Sequence, residues 1–317
     1  MSHIFDALQR AEAEQSGNEL SLTRQLLQMA QAGAPPLIEV AEAAPAPEDR
    51  LAQPLPETLT PSAAELQTVF ESFASLPLVL PPNSRLVSIT EKDSLAAEKF
   101  RFLAVRLRQL QQTRPLKKLL MTSTIPEEGK STLALNLACT LARRKEKRTL
   151  LLDGDLRRPT VAKQLGLGSV SGLSECLQDD AKLTTSIYRL DALGLWVLPA
   201  GSATQNPLEL MQSGKLLPLM DQLSEWFDWI VIDSPPVLPF ADTIIWARLS
   251  DGILLATRKG KTEKKQLKRG LDALEKTKLL GAILNSTTNT AHSDYYHRYQ
   301  PLAASREREK TAGRPKR

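Results

Sequence analysis

Cysteine is nearly absent from this 317-residue chain: Cys139 and Cys176 stand alone, without metal-ligand spacing. That excludes a disulfide framework and a thiolate metal site, and leaves two small buried hydrophobes in a reducing compartment. No run of about 18 apolar residues exists to span a membrane. The start MSHIFDALQRAEAEQ lacks the basic opening, apolar middle and small-residue cleavage site of a secretory signal. A soluble, cytoplasmic protein is expected. Aromatic residues make up only 5% of the chain, and of four tyrosines three, Tyr295, Tyr296 and Tyr299, crowd into the segment SDYYHRYQ near the C-terminus. That segment has no apolar period and runs into a charged tail, so core packing does not account for it. A stacking platform for nucleic acid would also mix aromatic and basic residues, and on this segment alone it stays open.

What is present is unevenly spread. Residues 1–85 hold 11 acidic and 4 basic side chains and ten of the 21 prolines, so the rest of the chain, net +5 overall, is distinctly basic. This N-terminal extension reads as largely disordered linker. Two short amphipathic helices stand out in it. Ile4, Phe5, Leu8 and Ala11 share one helical face, and Leu66, Val69, Phe70 and Phe73 share another after the capping box Ser62–Glu65. Each needs a partner surface, either on another protein or on the chain's own domain. The basic remainder suits a solvated surface or one that meets phosphates, acidic protein or anionic lipid. The lysine-rich stretch 257–278 has the same two readings, with Leu267, Leu271 and Leu274 as its core stripe.

From residue 86 apolar runs alternate with amphipathic stretches. Strands are expected at 117–124, 148–155, 195–201, 228–233, 252–258 and 279–285. Helices are expected near 94–111, 130–144, 214–226, 240–249 and 263–277. Continuous apolar strands separated by helices imply a parallel sheet covered on both faces, the doubly wound α/β class. The expected organisation is therefore an extension over 1–85, one domain over 86–290, and a flexible basic tail over 291–317.

Three segments carry chemistry. In TSTIPEEGKST, Gly129, Lys130 and Ser131 form the second half of a P-loop between a strand and a helix. Backbone N–H groups there point at phosphates, Lys130 neutralises the β and γ oxygens, Ser131 ligates Mg²⁺, and Thr132 adds a hydroxyl near the α-phosphate. Thr124 stands where the usual first glycine would be, and Glu127 occupies a position easier for glycine. A carboxylate repels a triphosphate unless it turns outward, so Glu127 is expected to face solvent and Glu128 is free to follow it. In LLLDGDLRRP, Asp153 and Asp155 project from the end of the next strand toward the same edge, ahead of Arg157; a plain Asp-Gly-Asp turn is the alternative. In DWIVIDSPPV, Asp233 ends an apolar strand as a Walker B carboxylate would.

Taken together, EKFRFL (98–103), PEEGKST, LLLDGDLRRP, LPAGSATQNPLELM, VIDSPPV, GAILN and the terminal tyrosines resemble the bacterial tyrosine kinases of the P-loop class, the autokinases of capsular and exopolysaccharide synthesis. The resemblance spans about residues 86–300. It implies ATP and Mg²⁺ as cofactors and Tyr295, Tyr296 and Tyr299 as phosphoacceptors modified by a neighbouring subunit. It also implies a catalytic set of Lys130, Asp153, Asp155 and Asp233, with metal held by Ser131, Asp153, Asp155 and Asp233. Of the paired aspartates, Asp153 is expected to take the tyrosine proton. Nucleotide contacts are expected from Glu128, Gly129, Lys130, Ser131, Thr132, Arg157 and Asn285, the last at an adenine-contacting position where turn chemistry is an equal reading. The family's partners would be further copies of the chain, a tyrosine phosphatase and a separate transmembrane chain-length regulator that holds the protein at the inner membrane face. Nucleic acid is not expected. Two departures stand against this: Ala104 replaces the second arginine of a helix motif that supports ring assembly, and three tyrosines make a short cluster. Two rival readings remain, a partition-type ATPase switch on DNA or membrane and a non-catalytic ATP-binding scaffold. The partition group carries an extra lysine where this chain has Ile125, which favours the kinase reading.

Overall fold

The computed structural model describes residues 63–285 apart from 83 and 145. The first amphipathic set, Ser62 of the capping box and the three terminal tyrosines lie outside the described residues. One eight-stranded sheet organises everything else. Its strands are β1 (Ala74–Ser75), β2 (Lys118–Ser123), β3 (Thr149–Asp153), β4 (Tyr188–Leu190), β5 (Leu195–Leu198), β6 (Trp229–Asp233), β7 (Gly252–Arg258) and β8 (Leu279–Asn285). Their spatial order is β1-β4-β5-β3-β6-β2-β7-β8. Every pairing is parallel except β4 with β5. All six expected strands are present. The two that the sequence did not suggest, β1 and β4, are two and three residues long and sit at one edge.

Alternation along the strands divides the core in two. Leu120, Leu150, Leu152, Ile230, Ile232 and Leu255 bury one face. Leu119, Met121, Leu151, Val231, Leu254 and Ala256 bury the other, against the helices Leu95–Thr113 and Lys130–Ala142. Both faces are covered, which is why these strands read as unbroken apolar runs. Cys139 and Cys176 are free and buried, burial pushing their thiols up to about 12 and about 11, so neither is a nucleophile at neutral pH.

The choice left open for the second amphipathic set is decided by packing. Helix Ala63–Ser72 buries Phe70 and Phe73 in the chain's own core, with Leu66 and Val69 packed against it. Phe70 meets Phe73, Trp196 and Phe227 edge-on at 5.1–5.3 Å, and the Arg148 guanidinium lies 4.1 Å from its ring centroid. No helix among the described residues is long and apolar enough to cross a membrane.

Candidate functional site

The site is built at the carboxyl edge of the sheet by register. β2 lies beside β6, and β6 beside β3, so that Met121, Asp233 and Asp153 stand in one row of Cα partners. Two residues past Met121, β2 gives way to the loop Thr124–Gly129 and then to helix Lys130–Ala142. Both aspartates are thereby delivered beside the loop, at the carboxyl ends where α/β sheets bind ligands. Gly129 enters the helix at φ 89°, left-handed backbone that favours glycine, and a Cβ there would run into the Asn285 amide.

Lys130 gathers the cluster. Its Nζ donates to Asp155 Oδ2 at 2.8 Å and to Ser131 Oγ at 3.2 Å, and stands 3.5 Å from Asp233 Oδ1. Asp153, Asp155 and Asp233 are all buried. Burial pulls the Lys130 pKa down, but the charges of Asp233 and Asp155 outweigh it and the ammonium is held above its ordinary value. Asp153 is pushed up to about 7, first by burial and then by Asp233, against the backbone N–H groups of Val161 and Asp155 that its oxygens accept. Asp233 is raised as well, by burial above all, with Lys130 opposing.

Asp233 is fully buried, yet neither carboxylate oxygen accepts a hydrogen bond among the described residues. Such a group needs a cation, water or proton. Together with the Ser131 hydroxyl and Asp155 beside it, this donor set is all oxygen, which fits Mg²⁺ and not a soft metal. No three His, Cys, Asp or Glu side chains among the described residues form a protein-only metal cage. Mg²⁺ does not require one, since it takes one or two carboxylates and completes its shell with phosphates and water.

Sequence reasoning missed how the loop is braced. Glu127 does face solvent, at φ 66°, in an ion pair with Lys261. Glu128 does not follow it and the outward reading is corrected: its side chain is buried, accepting the Ile125 N–H at 2.9 Å and the Thr262 hydroxyl. Its carbonyl accepts the Asn285 amide at 3.0 Å. Glu128 and Asn285 therefore tie the ends of β7 and β8 to the loop. Thr124, where a glycine was expected, packs against Gly270 of helix Lys264–Asp272; a Cβ at 270 would lie 3.0 Å from it. Arg157 does not point freely into the cluster: Asp242 holds it at 2.6 and 3.0 Å, over the Phe240 ring. Thr132 donates to Gln164. Between the two site aspartates, Gly154 gives its carbonyl to buried Trp246 at 3.1 Å. In the helix motif, Glu98 pairs with Arg101, while Ala104 is fully buried against the sheet.

The arrangement is that of a nucleotide-binding domain, and comparison with known proteins agrees. Residues 119–300 match the family model described as the CobQ/CobB/MinD/ParA nucleotide binding domain. The chain is 35% identical over 212 residues to tyrosine-protein kinase YwqD of Bacillus subtilis, covering 66% of this chain and 89% of that protein. It is 32% identical over 230 residues to the succinoglycan biosynthesis transport protein ExoP of Rhizobium meliloti, covering 68% of this chain and 29% of that protein. The solved chimerical protein CapA2B2 superposes with a TM-score of 0.61 at 27% identity, covering 72% of this chain and all of that one.

Proposed function

The chain belongs to the CobQ/CobB/MinD/ParA nucleotide-binding family and, within it, to the bacterial tyrosine-protein kinases, and we propose that it uses ATP to phosphorylate Tyr295, Tyr296 and Tyr299 of a neighbouring copy. The observation that supports this reading most directly is the buried aspartate cluster in which Lys130 pairs with Asp155 and Asp233, while neither Asp233 oxygen accepts a hydrogen bond among the described residues. In the proposed reaction Lys130 leaves Asp155 for the β and γ oxygens of ATP, and the loop N–H groups hold the phosphates in line. Ser131, Asp233 and Asp155 would hold Mg²⁺, which when bound neutralises charge on the β- and γ-phosphates. The phenol oxygen of the acceptor attacks the γ-phosphorus, the bond to the ADP oxygen breaks, and Asp153 accepts the phenol proton. A carboxylate raised to about 7 by burial is suited to taking a proton at neutral pH. Positioning and charge carry most of such a transfer.

Glu128 and Asn285 act as positioning residues for the loop, and Asn285 is the candidate for the adenine side. The organisation proposed is an extension over 1–85, a kinase domain over 86–290, with helix Ala63–Ser72 packed upon it, and an acceptor tail over 291–317. The relation to ExoP, named for succinoglycan biosynthesis and transport, supports a role in polysaccharide polymerisation or export. A separate transmembrane chain-length regulator, a homo-oligomer and a tyrosine phosphatase are the partners proposed, with the protein held at the inner membrane face. Residues 292–317 hold seven basic and three acidic side chains; each phosphotyrosine adds roughly −1.5 to −2, so full modification reverses the sign of the tail and would release a neighbour it had gripped. Sedimentation before and after full phosphorylation tests that release.

The deciding experiment incubates purified chain with Mg-ATP, alone and beside a Lys130→Met copy, and maps phosphate by mass spectrometry. Phosphate on the variant's tail shows transfer between molecules. ATP hydrolysis stimulated by DNA or lipid with an unmodified tail would select the partition-type switch instead, and binding without turnover or transfer the scaffold.

A further inference from the structure

At the opposite edge of the sheet, where β2, β6 and β7 begin, a cleft of about 550 Å³ opens between the end of helix Leu95–Thr113, the turn after helix Lys130–Ala142 and the strand starts. β2 separates it from the P-loop by its whole length, roughly 20 Å for six residues. Five basic and two acidic side chains line it, and most of these charges are already matched. Lys147 pairs with Asp228 at 2.8 Å, Asp251 accepts the N–H groups of Lys117 and Lys118 at 2.8 and 2.7 Å, and the Lys117 ammonium donates to the Ser224 carbonyl. Two cations are left over. Neither Arg108 nor Arg144 has a side-chain hydrogen bond or ion pair among the described residues. Both line the cleft, and burial first, then the charge of Arg144, hold Arg108 below its ordinary value.

Two like charges kept together without a counterion cost free energy, and an anion between them removes that cost. The volume falls in the range of small-molecule pockets and exceeds what inorganic phosphate fills. The wall beyond the arginines carries the Gln112 amide, the Pro115 ring and the buried Leu116 and Trp229, which suit a neutral polar body and not a second charge. We propose that this cleft is a second ligand site that takes a small organic phosphate, its phosphate between Arg108 and Arg144 and its uncharged portion along Gln112 and Pro115. The site is separate from the nucleotide site in place and in chemistry, since it offers guanidinium groups and no P-loop.

Calorimetric titration of the full chain with glucose 1-phosphate, at low salt and with glucose and inorganic phosphate as controls, tests this. Binding is expected to survive Lys130→Met and to weaken about tenfold or more in Arg108→Ser with Arg144→Ser, each arginine contributing a charge-assisted bond. Arg144 is exposed, so the single Arg144→Ser variant, which leaves the core untouched, is expected to show part of the loss even if the double variant folds poorly. Binding lost in Lys130→Met but kept in the arginine variants would mean that the probe sits on the P-loop, and would overturn the proposal. So would equal affinity for inorganic phosphate, which leaves the organic portion without a role, or no binding at all.

Discussion

Lys130 and Asp233 lie 3.5 Å apart in one buried cluster, yet removing their charges is expected to move stability in opposite directions. The cluster holds three carboxylates and one ammonium. Lys130→Met takes away the cation that Asp155 and Asp233 share and leaves buried charge unpaired, a loss of about 3–5 kcal/mol for a dry site and near the lower figure here, where the Lys130 side chain keeps 11% exposure. For a domain of this size that corresponds to a melting temperature lower by roughly 6–12 °C. Asp233→Asn removes a charge that burial disfavours and leaves Lys130 with Asp155; a gain in stability is expected. The pH dependence has a definite sign. Asp153 is raised to about 7 in the folded chain, so the folded state keeps a proton that the unfolded state releases, and stability falls as pH rises from the ordinary carboxylate range through about 7. The Lys130→Met deficit should therefore be larger at pH 8 than at pH 6. Urea unfolding of the nucleotide-free chains at both pH values measures this. A Lys130→Met chain that melts within about 2 °C of the parent at pH 8, or an Asp233→Asn chain less stable than the parent, would refute the charge ledger on which the site is argued.

Other expectations follow from the packing around the loop and the first helix. Gly154→Ala puts a Cβ 2.7 Å from the buried Trp246 ring, and a loss of about 1–3 kcal/mol in thermal unfolding together with lower kinase activity is expected, because the two site aspartates flank it. Phe70→Ala empties the aromatic cluster under helix Ala63–Ser72 and should cost about 3 kcal/mol, whereas its effect on the KM for ATP should be small. Glu127→Gly relieves left-handed backbone at φ 66° and loses only a surface pair with Lys261; a small stability gain is expected, seen as a higher melting temperature. Glu175 is held down to about 2 against burial by N–H and hydroxyl groups of Gly172, Ser174 and Ser202, so its contribution is present above the ordinary carboxylate range and lost as pH falls toward about 2. Glu175→Gln should accordingly destabilise the chain at pH 6 and be indistinguishable from the parent near pH 2 in acid titration by circular dichroism.

The central strands and the aspartates were legible because both depend on local pattern: three or four apolar residues in a row, then a carboxylate where the row stops, with Asp155 two residues beyond Asp153. The edge strands β1 and β4 were not, since two or three residues carry no period. Helices such as Val161–Leu165 and Pro207–Met211 are similarly too short to show one. The inward turn of Glu128 was hidden for a different reason. Its partner Thr262 is 134 residues away, and Asp242 lies 85 residues from the Arg157 it captures. Such pairings are made by strand order, which puts β7 and β8 beside the loop, and no spacing along the chain announces them. Charge repulsion was the right consideration for Glu127 and the wrong one for Glu128, where two donors outweigh it.

The bond from Asn285 to the Glu128 carbonyl anchors the end of β8 beside the P-loop. Tyr295 follows ten residues later, so its tether has a contour of at most about 36 Å, anchored on the rim of the nucleotide pocket itself. For the proposed transfer, a span that short sets a ceiling on how far apart two copies can stand. It also keeps each tyrosine within range of its own pocket, so chain length by itself does not enforce transfer between molecules; whatever orients the leash must do so.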